Sequence, residues 1–165
     1  MTTRLVLLCG KSFSGKSTVA RALAPRLRAR IVSLDEINER RGLWGGDGIA
    51  VEEWVRTHEL ATGEVRGLLS SGTSVVVDDT SSPRFLRDGW RSLAGGAGFT
   101  LLYVDVDDET VRRRCAENRL DPRRRDVADD VLERHLADFE PPRDDEGAVR
   151  VRSVEELDQA WRAGR

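Results

Sequence analysis

The stretch Gly10-Lys11-Ser12-Phe13-Ser14-Gly15-Lys16-Ser17, followed by Thr18, constrains this chain more than any other. It fits the pattern G-x-x-x-x-G-K-[ST]. The apolar run Leu5-Val6-Leu7-Leu8-Cys9 before it reads as a buried strand, and Val19-Ala20-Arg21-Ala22-Leu23 after it reads as the start of a helix. Strand, loop and helix in that order are the setting the motif requires. Gly10 and Gly15 let the backbone turn tightly, so that successive N–H groups point at one anion. The helix adds its positive end at the same point. The pattern predicts that residues Gly10 to Thr18 hold nucleotide phosphates. Lys16 would reach the β- and γ-phosphates, and the Ser17 hydroxyl would hold Mg²⁺.

Only two of the 27 basic residues are lysines, Lys11 and Lys16, and both lie in this loop. A compact ammonium on a flexible stem suits Lys16, and guanidinium does not replace it well. Lys11 reads either as a second phosphate contact or as a solvated side chain. The formal net charge is −2 and the pI about 5.8, which excludes a global basic field that would recruit nucleic acid or an anionic membrane. At 165 residues the expectation is one domain with a substantial core. Cys9 and Cys115 lack the spacing of a metal site and read as buried thiols in a reducing compartment. No apolar run approaches membrane-spanning length, and the N-terminal one is short for a signal peptide. These features predict a cytoplasmic protein.

Apolar runs alternate with helical patterns, which is the signature of βαβ units and a parallel sheet. Strands are expected over 4–9, 30–34, 73–78, 99–106 and 148–152. Helices are expected over 16–28, 51–71, 83–95, 108–119, 127–139 and 153–163. Pro25 should bend or split the first helix near Ala24. In the 51–71 helix, Val51, Trp54, Val55, His58, Ala61, Val65, Leu68 and Leu69 recur at helical spacing, and His58 reads as a packed histidine.

Three acids stand where a parallel sheet presents its ligands, beyond the carboxyl ends of strands. Asp35 follows the second strand and reads as the base beside the acceptor hydroxyl, or as a cap for a following turn. Asp78 ends the third strand in the manner of a Walker B acid and would hold the Mg²⁺ shell; Asp79 would face the acceptor. Thr80 stands where a water-using ATPase commonly places glutamate, which leans toward transfer to a bound acceptor. Arg40, Arg41 and Trp44, with the glycine-rich run 45–48, read as a loop over the acceptor side, where Arg40 or Arg41 would hold an anionic or polar substrate and Trp44 would stack on a ring. A solvated loop fits the same residues. The dense arginines of 112–126 read as a lid whose cations neutralise the transferring group, with Arg119 and one or two of Arg123, Arg124 and Arg125 as candidates; a solvated charge run is the alternative.

In order, Gly10–Thr18, Asp35-Glu36-Ile37, Val75-Val76-Val77-Asp78-Asp79-Thr80, Glu117-Asn118-Arg119 and Phe139-Glu140-Pro141-Pro142 resemble a family of small P-loop kinases. That family includes chloramphenicol phosphotransferase, zeta toxins and the 5′-kinase domain of polynucleotide kinases. The resemblance covers nearly the whole chain. It implies an α/β fold, a three-layer αβα sandwich on five parallel strands in the order 2-3-1-4-5. It also implies ATP-dependent phosphorylation of a hydroxyl, with Asp35 as the base-like residue and Arg119 in the lid. Many relatives place asparagine soon after the third-strand acid, where this chain has Ser81-Ser82. The expected cofactors are ATP and Mg²⁺, and the expected acceptor is a small molecule such as an antibiotic, nucleoside or sugar-like metabolite. A polynucleotide 5′-hydroxyl kinase would need a basic channel apart from the lid. A regulatory nucleotide switch is the other alternative; N-K-x-D guanine recognition is excluded, because no lysine follows Lys16.

Overall fold

A computed structural model describes residues 2–44 and 48–163. The expected glycine-rich loop falls partly on 45–47, outside the described residues. Five strands, β1 (Arg4–Cys9), β2 (Arg30–Ser33), β3 (Val75–Asp78), β4 (Gly98–Val104) and β5 (Val149–Val151), form one sheet in the order β2-β3-β1-β4-β5. All pairings are parallel, with Leu5 opposite Val75 on one side and Phe99 on the other. Strand order and fold class agree with the sequence reading.

The helices are α1 (Lys16–Leu27), α2 (Leu34–Arg40), α3 (Val51–Ser70), α4 (Arg84–Ala94), α5 (Asp108–Leu120), α6 (Asp129–Asp138) and α7 (Val154–Ala163), with a 3-10 turn at Asp144–Glu146. Alternation along β1 divides the core. Leu5, Leu7 and Cys9 face Ala61 and Val65 of α3 and Trp90 of α4, whereas Val6 and Leu8 face Val19 and Leu23 of α1 and Leu157 of α7. Both faces of the central strand are covered, as a parallel sheet demands. A third cluster joins Phe13 of the P-loop to Val111 and Cys115 of α5 and Val131, Leu132 and Leu136 of α6. The arginine-rich segment therefore rests on its own small core beside the nucleotide loop. Both cysteines are buried and free, and burial pushes the Cys9 thiol up to about 12.

Three local expectations change. Helix α1 runs through Pro25 without a break, because only two helical residues follow it and Arg28 ends the helix in the left-handed region. Residues 34–40 form a helix that the sequence reading lacks. Ser33 caps it, its hydroxyl accepting from the Glu36 N–H at 3.3 Å. In α3 the fully buried positions are Thr57, Ala61 and Val65, while Val51 and Val55 are 73% and 53% exposed. His58 does pack, 5.0 Å from the Trp90 ring.

Candidate active site

The P-loop turns from β1 into α1 across a cleft of about 1340 Å³ at the carboxyl end of the sheet. Gly10 is required there by contact: a Cβ on it would lie 2.7 Å from the Val104 carbonyl oxygen and 2.8 Å from Ser14 Oγ. Gly15 sits in the left-handed region at φ 97. Phe13 holds φ 58 without being glycine, a strained conformation of the kind found where a ligand is clamped. No side chain caps α1 and no acid occupies its first turn, so its N-terminal N–H groups are left for an anion. The Ser14 hydroxyl is buried without a hydrogen-bond partner among the described residues. A polyphosphate fits this cradle.

Lys16 is buried, and its Nζ donates to the Lys11 carbonyl at 2.7 Å. Burial lowers its pKa below the usual lysine value, opposed by the carboxylates of Asp78, Asp79 and Asp35. The exposed Ser17 hydroxyl donates to Asp78 Oδ2 at 2.6 Å. These two oxygen donors, side by side at the cleft floor, suit a hard divalent cation such as Mg²⁺. Among the described residues no group of three or more His, Cys, Asp or Glu side chains forms a metal cage. A cation here would draw its remaining oxygens from phosphate and water.

Asp35 lies exposed on the first turn of α2 and lines the same cleft as Lys16, Ser17, Asp78 and Asp79. Asp79 accepts from the Ser81 N–H at 3.1 Å and the Ser81 hydroxyl at 2.8 Å, so it supports the β3–α4 loop as well as facing the cleft. Burial raises its pKa, against those hydrogen bonds and Lys16. Trp44 lines the cleft, with the Arg125 guanidinium 3.6 Å over its ring. Arg40 does not line it; the helix directs Arg40 outward to Glu64 at 3.4 Å.

The lid arginines divide differently from the expectation. Arg119 is turned from the cleft, with Nε 2.9 Å from Asp126 and Nη2 2.8 Å from both Asp129 and the Val127 carbonyl. It fastens the turn between α5 and α6. Arg114 faces the phosphate loop instead, donating to the Phe13 and Ser14 carbonyls at 3.1 and 2.9 Å. Its signal in the sequence was its place on the buried stripe Val111, Arg114, Cys115 and Asn118. Arg124 stacks 4.2 Å over Phe13, and the Asn118 carboxamide oxygen accepts from the Arg123 and Arg124 N–H groups at 3.0 and 3.1 Å. Arg123 lines the cleft and pairs with Asp121 at 3.2 Å. Lys11 is not solvated: it bridges to Asp108 at 2.6 Å and the Val106 carbonyl at 3.2 Å, tying the P-loop to α5.

A family model described as an AAA domain matches residues 5–142. The chain belongs to that AAA domain family. Among curated relatives, the AAA domain protein is 28% identical to the uncharacterized protein Rv2004c of Mycobacterium tuberculosis (strain ATCC 25618 / H37Rv) over 98% of its own length. It spans about a third of that relative, 35%. Its fold is that of P-loop kinases. A gluconokinase from Sinorhizobium meliloti 1021 superposes with TM-score 0.70 at 20% identity, over 99% of this chain and 91% of the other. The Mycobacterium tuberculosis APS kinase CysC, in complex with AMPPNP and APS, superposes with TM-score 0.70 at 19% identity, over 98% and 95%. Among the described residues no helix is long and apolar enough to cross a membrane.

Proposed function

We propose that this AAA domain protein is an ATP-dependent kinase that transfers the γ-phosphate to a hydroxyl of a small molecule. The observation that carries the reading is the convergence of Asp35 on the cleft that holds Lys16, Ser17 and Asp78. A carboxylate beyond the γ-phosphate position has no role in holding nucleotide, but it can orient and deprotonate an attacking hydroxyl. The kinase names of two proteins sharing its fold support the same class.

In this reading the P-loop N–H groups and Lys16 bind and align the triphosphate. Ser17 and Asp78 would hold Mg²⁺, which neutralises developing charge when bound. Asp35 accepts the acceptor's proton, Asp79 lines the acceptor side, and Arg114, Arg123 and Arg124 place positive charge over the phosphates. The segment 112–126 would act as the lid of this kinase domain, as Phe13 and Arg124 stack across the join.

The test is ADP release with a panel of hydroxyl compounds, alongside calorimetry with ATP. Wild-type protein should bind Mg·ATP and release ADP faster with one acceptor class than with water. Lys16→Ala should lose ATP affinity; unchanged affinity in that variant refutes the reading at its base.

A further inference from the structure

We propose, on the kinase reading above, that the acceptor is a cation: an amine-bearing hydroxyl compound such as an amino sugar or amino alcohol. The acceptor side of the cleft is acidic. Its phosphate half mixes Arg114, Arg123 and Arg124 with Glu117, Asp121 and Asp126 beside the P-loop. Its acceptor half carries the exposed carboxylates Asp35, Glu39 and Asp138, with Asp79 behind them. Asp35 and Glu39 share one face of α2 at i,i+4 spacing. Asp138 ends α6 two residues before Glu140, whose N–H donates to Ser82 Oγ at 2.9 Å, so that end is fastened beside the tip of β3.

The arginines that flank this half are turned away. Arg40 pairs with Glu64, Arg41 with Glu53 and Thr57, and Arg84 with Asp88 and Asp145. His135 and Arg125 also line the cleft. An anionic acceptor would meet like charge from three sides, and such juxtaposition is strongly unfavourable. A cation would be drawn in.

Arg125 supplies an independent sign. Its guanidinium lies 3.6 Å over the Trp44 ring, so a ring face lining the cleft already holds a cation. The acceptor's ammonium would take the same kind of seat, on Trp44 or on Trp54, which also lines the cleft.

The experiment compares three charge classes in the ADP-release assay. Glucosamine, ethanolamine and kanamycin are the cations, glucose and adenosine the neutral compounds, and gluconate and a 5′-hydroxyl oligonucleotide the anions. The cationic class should give the highest kcat/KM, and its KM should rise with added salt. Glu39→Lys changes an exposed side chain and should lower kcat/KM for the cationic acceptor on the order of tenfold or more. Glu39→Gln should fall between that variant and wild type. A preference for a neutral or anionic acceptor overturns the charge assignment and leaves the kinase reading standing. A Glu39→Lys enzyme with unchanged kcat/KM for the cation overturns it too. If ATP binds but no acceptor of any class raises ADP release, the kinase reading falls and takes this one with it.

Discussion

The Ser17 hydroxyl donates to Asp78 across 2.6 Å, joining the end of the P-loop to the end of β3. The two strands that deliver them, β1 and β3, are paired directly, with Leu7 opposite Val77. The pair is thus set by sheet register, before any ligand arrives. Both oxygens face the cleft, and a hard cation would separate them and take both.

Asp78→Asn should therefore raise the Mg²⁺ concentration for half-maximal turnover by ~10-fold or more, because a neutral amide is a poorer ligand for Mg²⁺ than a carboxylate. ATP binding measured without Mg²⁺ should change little. A Mg²⁺ titration of ADP release checks the first part and calorimetry in chelator the second. An unshifted Mg²⁺ requirement would move the cation elsewhere.

Arg114 and Arg119 should separate by function. Arg114→Ala removes the guanidinium that holds the Phe13 and Ser14 carbonyls, and a charged hydrogen bond lost at the phosphate loop should weaken ATP binding by ~10-fold. Arg119→Ala should leave ATP affinity near wild type, since its guanidinium is committed to Asp126 and Asp129. Its effect should appear as faster hydrogen exchange over 119–129. Calorimetry and exchange mass spectrometry on both variants decide it; a large loss of ATP affinity in Arg119→Ala would mean that the guanidinium swings to the phosphates.

These two arginines show how far the chain could be read without its structure. The continuous apolar run of β1, the P-loop and the alternation of strands with helices are local signals, and they led to the parallel α/β fold; the sheet order followed from the family resemblance. The small helix at 34–40 was missed although Ser33-x-x-Glu36 is a capping pattern, because seven residues give too little periodicity to weigh against a loop at a ligand edge. Arg119 could not be placed, because its partners lie seven and ten residues on, across an irregular turn whose path spacing does not give. Arg40 failed for a related reason: its partner Glu64 belongs to a neighbouring helix.

A buried ion pair behind the loop that follows β3 predicts the response to acid. Arg87 and Glu146 are each 1% exposed and joined at 2.7 and 2.8 Å. Arg87 also donates to the Ser81, Ser82 and Glu140 carbonyls, so the pair anchors the loop after β3. The hydrogen bonds from Arg87 hold the Glu146 carboxyl at about 2, below its ordinary 4.5. A depressed carboxylate contributes stability that is present above about 4.5 and lost as pH falls toward 2, here on the order of 3 kcal/mol. Glu146→Gln should cost about 3–5 kcal/mol at pH 7, because it leaves a buried guanidinium uncompensated. The gap to wild type should narrow as pH falls from 4.5 to 2. Urea unfolding of both proteins across that range checks it, and a gap that stays constant with pH would refute the linkage.

Asp35 gives the test that separates a kinase from a nucleotide switch. It stands on the first turn of α2, which Ser33 caps, and it lines the cleft on the side of β2 and β3. In the proposed reading the P-loop would bind phosphates through backbone N–H groups and Lys16, none of which Asp35 contacts by hydrogen bond among the described residues. Asp35→Asn keeps the shape of the side chain and removes the base. Mg·ATP affinity should stay within about threefold of wild type, while phosphoryl transfer to the acceptor should fall by at least ~100-fold, the usual size of a general-base contribution. The loss should appear in kcat with little change in KM for ATP, as expected for an interaction made in the transition state. Single-turnover transfer with the acceptor found in the panel, together with calorimetry, measures both quantities on the same protein. A variant that transfers phosphate at the wild-type rate would pass the base role to Asp79, which lines the same half of the cleft. A variant that also loses ATP would show Asp35 to act on the triphosphate, and the division of the cleft into phosphate and acceptor halves would fall with it.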